Sequence, residues 1–205
     1  MFVPRILYPF LPYRSMIFPF LVLSAIVAVC WLIFRIYRLR TRGQPVSFMR
    51  EILLLIFVVY LAGVASATLT PNRSSRMRAA GSGGIELRPK LSSLTCSSAN
   101  FPEGSSGRGF CVRNAQGNFF LFFPLGILIP LVWRRVRFWK GLQIAIALSI
   151  SIEIVQYISS SLGSYRAVDV NDVILNVFGA GLGLALMSLL LWRPGSRRPL
   201  AQDTA

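Results

Sequence analysis

The chain has 205 residues, of which 54% are hydrophobic and 14% charged, with a mean hydropathy of +0.60. A soluble domain carries about a quarter charged residues, so this deficit, gathered into long apolar blocks, predicts an all-α, polytopic membrane helix bundle. The formal charge of +15 does not point to nucleic acid, because Lys and Arg cluster beside the apolar blocks, as at cytoplasmic flanks of membrane helices; the absence of His excludes His-based acid–base catalysis, phosphohistidine chemistry and His-ligated metals.

In chain order, residues 1–15 lie among Pro4, Pro9, Pro12 and Pro19 and are not expected to form a continuous helix, since each interior proline removes a hydrogen bond and crowds the previous turn. Residues 16–34 are apolar over roughly the ~20 residues that cross a bilayer. No small-residue cleavage site follows, and Arg35, Arg38, Arg40 and Arg42 come next, so the segment reads as a retained first span rather than a signal peptide. Residues 35–50 are a basic connection with Gly43 and Pro45 as breakers, and 51–69 are the second span, stopped by Pro71. Residues 72–116, rich in Ser, Gly and Arg, read as a long irregular loop. The third span covers 118–133 and contains Pro124, Gly126 and Pro130. Arg134, Arg135, Arg137 and Lys140 form the next basic turn, the fourth span covers 141–159, and a short connection, 160–170, leads to the fifth over 171–192. The organisation is thus an N-terminal segment with an additional span and basic loop (1–48), a four-helix membrane domain including loop 72–116 (49–193), and a basic tail (194–205).

Alternating spans place 35–50, 134–140 and the tail on one side. These connections are short and dense in Lys and Arg, so the positive-inside rule makes that side cytoplasmic, with the N-terminus and the long loop outside. Cys96 and Cys111 then fall in an oxidising compartment. They are either a disulfide, worth on the order of 3 kcal/mol for a loop of ~15 residues, or two unpaired thiols, and spacing leaves both open. Cys30 reads as a small apolar packer in the first span.

The polar residues form two stripes. At ~100° per residue, Ser149, Glu153, Gln156 and Ser160 share a face about 60° wide on the fourth span. Asp169, Asp172, Asn176, Gly179 and Gly183 share a face about 80° wide on the fifth. A stripe of this kind facing lipid is costly, so both are expected to face protein. The glycines are a small-xxx-small pair suited to close helix contact. The short connection 160–170 makes the two spans antiparallel neighbours, and Thr68, Thr70 and Asn118 reach the same end. The carboxylates repel one another unless one is protonated, a cation intervenes or Arg166 pairs with them. Two readings follow: an internal clasp that holds the bundle together, or a pocket for a ligand or ion. Pro124 and Pro130 either open room beside Asn118 by kinking the third span or act as rigid bends for packing. The Phe run at 119–123 reads as packing.

Thr68-Leu69-Thr70-Pro71, the run from Asn118 to Gly126, Ser151 to Gln156, and Arg166 to Gly183 together resemble the VanZ-like family of bacterial membrane proteins, in order and spacing, over residues 50–192. The resemblance implies a small multi-pass protein of the bacterial cytoplasmic membrane; the family is named for a member that raises resistance to the glycopeptide teicoplanin. Carried over by position, the residues of interest are Asn118, Pro124, Gly126, Glu153, Gln156, Arg166, Asp169, Asp172, Asn176 and Gly179. The expected function is binding of an envelope component at the outer leaflet: a lipid head group, a lipid-linked cell-wall intermediate or a glycopeptide, with Arg166 meeting phosphate. The alternative is a hydrolase or transferase on a lipid-linked substrate, using Glu153 with Asp169 or Asp172 as acid and base, or as ligands of a divalent cation. No activated nucleophile, catalytic residue or cofactor motif is recognisable. Membrane lipids are the expected partners, and nucleic acid is not.

Overall fold

The computed structural model describes residues 14–42, 47–69, 85–161 and 168–191. Among these, five helices are long and apolar enough to cross a membrane: Phe18–Thr41, Phe48–Thr68, Ser106–Val132, Phe138–Ser159 and Val170–Leu190. They are the first to fifth spans below. Helices are the expected solution, because lipid offers no partner for backbone N–H and C=O groups and a helix satisfies them within itself. The chain is a multi-pass membrane protein of the all-α class.

Two sequence-based boundaries are corrected. The first helix continues to Arg42, so residues 35–42 are helical rather than a connection. Arg is a good helix former, and the first breakers are Gly43 and Pro45. Pro19 lies within this helix, near its start. From the extended part, the Arg35 Nε meets the Glu51 carboxylate at 3.0 Å and ties the first span to the start of the second.

The third helix begins at Ser106, well ahead of Asn118. Its N-cap is Ser105, whose Oγ accepts from the Arg108 amide at 3.1 Å, a standard way to satisfy an exposed helix-start N–H. Hydropathy is blind to this extension because most of residues 106–117 are polar or glycine. Residues 85–105 are ordered as well. Strand β1 (Ile85–Glu86) runs parallel to β2 (Val168–Asp169), in register Ile85 with Val168 and Glu86 with Asp169. A single turn of helix follows at Leu91–Thr95. The segment 72–116 is therefore not an irregular loop throughout; residues 70–84 lie outside the described residues.

The core is built where the third, fourth and fifth spans meet, around Phe122, Leu125, Ile129, Ala145, Ala180 and Leu184. The third and fifth spans make the most extensive helix contact, and they run parallel. Phe119 lies against Gly179, and Phe123 and Gly126 lie against Gly183. The small-residue pair thus serves the third span, while Asn176, between the glycines and the helix start, reaches the fourth.

Candidate functional site

The buried polar residues gather towards one end of the bundle, the end that carries residues 85–117 and β2, here the loop end. Asn176 is 2% exposed and Ser149 fully buried. The Asn176 amide, Nδ2, donates to Ser149 Oγ at 3.0 Å, so the stripes of the fourth and fifth spans meet at this pair, while Asp172, Gly179 and Gly183 of the fifth-span stripe turn to the third span. Glu153 is 6% exposed, two turns from the end of its helix at Ser161, or about 12 Å along the axis at 1.5 Å per residue. Gln156 Nε2 approaches the Thr68 carbonyl at 3.4 Å, which joins the fourth span to the end of the second. Thr68 directs its own hydroxyl back to the Val64 carbonyl at 2.8 Å.

A second, shallower layer sits at the start of the fifth span. Asp169 is its N-cap, accepting from the Asn171 amide at 2.9 Å. Asp172, in the first turn, accepts from Asn114 Nδ2 at 2.8 Å. Both carboxylates lie where the helix dipole favours negative charge, which accounts for part of their presence there without any ligand. Asn171 Oδ1 accepts from the Lys90 backbone N–H at 3.1 Å. The β1–β2 pairing and the Lys90–Asn171 bond lay residues 85–96 as a strap across this helix start. A disulfide between Cys96 and Cys111 fastens the strap to the third span. On the strap, the Lys90 ammonium pairs with Glu86 and holds that carboxyl below its usual range.

Three buried amide atoms have no hydrogen-bond partner among the described residues: Asn118 Nδ2, Asn171 Nδ2 and Asn176 Oδ1. The contacts Asn114–Asp172 and Phe119–Gly179 set the register of the third and fifth spans, and this places Asn118 level with Asn176. No three His, Cys, Asp or Glu side chains among the described residues are grouped to hold a metal ion. Arg166, Thr70 and Pro71 lie outside the described residues, as does the Ser160 side chain.

Asn114, Asn171 and Lys90 are functional candidates that the sequence reading did not single out. Asn114 lies one helical turn before Asn118. Its spacing would have marked it had the helix been traced into the polar segment. Asn171 adjoins Asp172 but falls off the stripe, and Lys90 reaches Asn171 through its backbone N–H, which leaves no signal in the side-chain pattern.

Pro124 and Gly126 serve packing. Tyr60 of the second span donates its hydroxyl to the Leu121 carbonyl at 2.6 Å, one turn ahead of Pro124, where the missing proline N–H disturbs the backbone ladder. A Cβ on Gly126 would lie 2.1 Å from the Ala180 carbonyl oxygen, so no side chain fits there.

Protein VanZ of Enterococcus faecium is 35% identical over 77 residues, which are 38% of this chain and 45% of that protein. The chain therefore spans less than half the length of this curated relative. No solved structure matches. Residues 51–191, from the start of the second span to the end of the fifth, match the VanZ/LLP1 family, and the chain belongs to that family.

Proposed function

We propose that the protein binds a cell-envelope lipid or lipid-linked component by its head group at the loop end of the bundle. The observation that supports this most directly is Asn171. It is 2% exposed, its Oδ1 is engaged by Lys90, and its Nδ2 has no acceptor among the described residues. Leaving a buried donor unpaired costs about 1–3 kcal/mol, and a phosphate or ester oxygen from a ligand would recover it. Hydroxyl or amine groups of the same head group suit the carboxylates of Asp169 and Asp172. Arg166, three residues before Asp169 in the sequence, is the proposed partner of the phosphate. The deeper Ser149–Asn176 pair acts in this reading as a clasp that fixes the helices beneath the site.

The charge asymmetry of the connections supports a loop end outside the cytoplasmic membrane, with the N-terminus outside and the C-terminus cytoplasmic. A disulfide on that side is consistent with an oxidising compartment. A contribution to glycopeptide resistance would come, in this reading, from retaining an envelope component rather than from chemistry on the drug.

The test compares full-length protein with Asn171→Ala and Asp172→Asn for co-purifying envelope lipids, by mass spectrometry, alongside thermal unfolding. A several-fold loss of retained lipid at unchanged melting temperature is expected. Unchanged retention in folded variants would overturn the proposal, and loss of folding in both would assign the cluster to architecture.

A further inference from the structure

Away from the polar layers, a cavity of about 630 Å³ opens between the first, second and third spans. Phe20, Leu55, Val64, Phe120 and Pro124 contribute to its wall. Tyr60 brings the one polar side chain, and its hydroxyl is engaged by the Leu121 carbonyl. Among the described residues the wall offers a ligand no free hydrogen-bonding side chain, so its occupant is apolar. Along the second span the wall runs from Leu55 to Val64, roughly 13 Å at 1.5 Å per residue. That is close to half of the ~30 Å hydrocarbon core, the length of one acyl chain, and it reaches from roughly 7 Å below the helix end at Leu69 to just past the middle of the span. The end at Val64 lies one turn from Thr68, and Phe120 lies two residues beyond Asn118, so the groove begins where the polar end stops. Leu55 and Phe120 on its rim are exposed, and the groove is continuous with the surface that these spans present to the bilayer.

We propose that this groove seats a single fatty-acyl chain of a glycerophospholipid in the loop-end leaflet. A chain entering from the bilayer meets an apolar wall of its own length; a long polyprenyl chain would overrun it. That the same lipid places its head group at the loop end rests on the proposed function above; the seating of the chain does not.

The test uses full-length protein in vesicles of phosphatidylglycerol and phosphatidylethanolamine, with a trace of phospholipid carrying a diazirine midway along one acyl chain. After photolysis, peptide mass spectrometry should find label on residues 55–64 and 120–124 several-fold above the exposed positions Phe178, Leu182 and Leu186 of the fifth span. Val59→Trp, which fills the groove, should lower the wall label several-fold; Leu55→Trp on the exposed rim replaces it if that variant does not fold. Label distributed simply by exposure, or unchanged in a folded groove variant, overturns the proposal. Stronger competition by unlabelled polyprenyl phosphate than by phospholipid also overturns it. Wall label that persists while Asn171→Ala and Asp172→Asn leave lipid retention unchanged would keep the groove and remove the head-group reading.

Discussion

Gly126 and Gly183 meet across the third and fifth spans so closely that a Cβ built on Gly183 would stand 3.0 Å from the Gly126 Cα and 2.4 Å from the Phe123 carbonyl oxygen. The obstruction is backbone on both sides, so it cannot be relieved by rotating a side chain. In lipid, where helices gain little from burying apolar surface against one another, such close approach is a main source of association.

Gly183→Leu should therefore separate the two spans and lower the melting temperature of the detergent-solubilised protein sharply, corresponding to roughly 3 kcal/mol or more as an overpacked core does. Gly181→Ala is the control. Its added Cβ finds only Leu142 Cδ1 at 3.8 Å, an ordinary contact, and alanine favours the helix by up to about 1 kcal/mol. Equal sensitivity at both positions would contradict the packing account.

Ser149→Ala leaves the buried Asn176 amide without its acceptor. A loss of about 1–2 kcal/mol is expected, within the range found for interhelical hydrogen bonds in membranes. A double-mutant cycle with Asn176→Ala, read by unfolding in mixed micelles, should return a coupling of about 1 kcal/mol. Additive losses would show that the pair is not a clasp.

Tyr60→Phe removes the hydroxyl that satisfies the Leu121 carbonyl beside Pro124. It should destabilise by about 1 kcal/mol, and the effect should shrink several-fold in a Pro124→Ala background, because removing the ring that crowds the preceding turn lets the Leu125 N–H close the helical bond to the Leu121 carbonyl. A full-sized loss in both backgrounds would remove the proline from the explanation.

Reduction of the Cys96–Cys111 bridge, or Cys111→Ser, should cost on the order of 3 kcal/mol in the chain-entropy account for a 15-residue separation. Hydrogen exchange should show the change first at the Lys90 amide, which the strap holds against Asn171. Uniform protection before and after reduction would separate the disulfide from the strap.

Acid should loosen the same strap. The Glu86 carboxyl is held low chiefly by its hydrogen bond from Lys90, so its contribution is present above the free carboxyl value of about 4.3 and is lost as pH falls through the lowered value. Exposure keeps that contribution small. The protection factors of residues 85–90, taken against the intrinsic exchange rate at each pH, should fall on going from about pH 6 to about pH 3, and Lys90→Met should flatten the dependence.

The sequence alone determined that this is a membrane-spanning helical protein and where its apolar segments lie, because hydropathy summed over a window is a local property that lipid reads directly. It also determined that Glu153, Gln156 and Asn176 face protein, because helical period fixes which residues share a face. Only the tertiary structure decided the partners. It gave Gly179 and Gly183 to the third span rather than the fourth, placed Asn114 on Asp172, and folded residues 85–96 over the start of the fifth helix. Those choices depend on distances between chain segments and on polar helix turns and backbone groups that hydropathy does not register. The same physics that makes an apolar span legible leaves a polar helical extension such as residues 106–117 silent until its packing is seen.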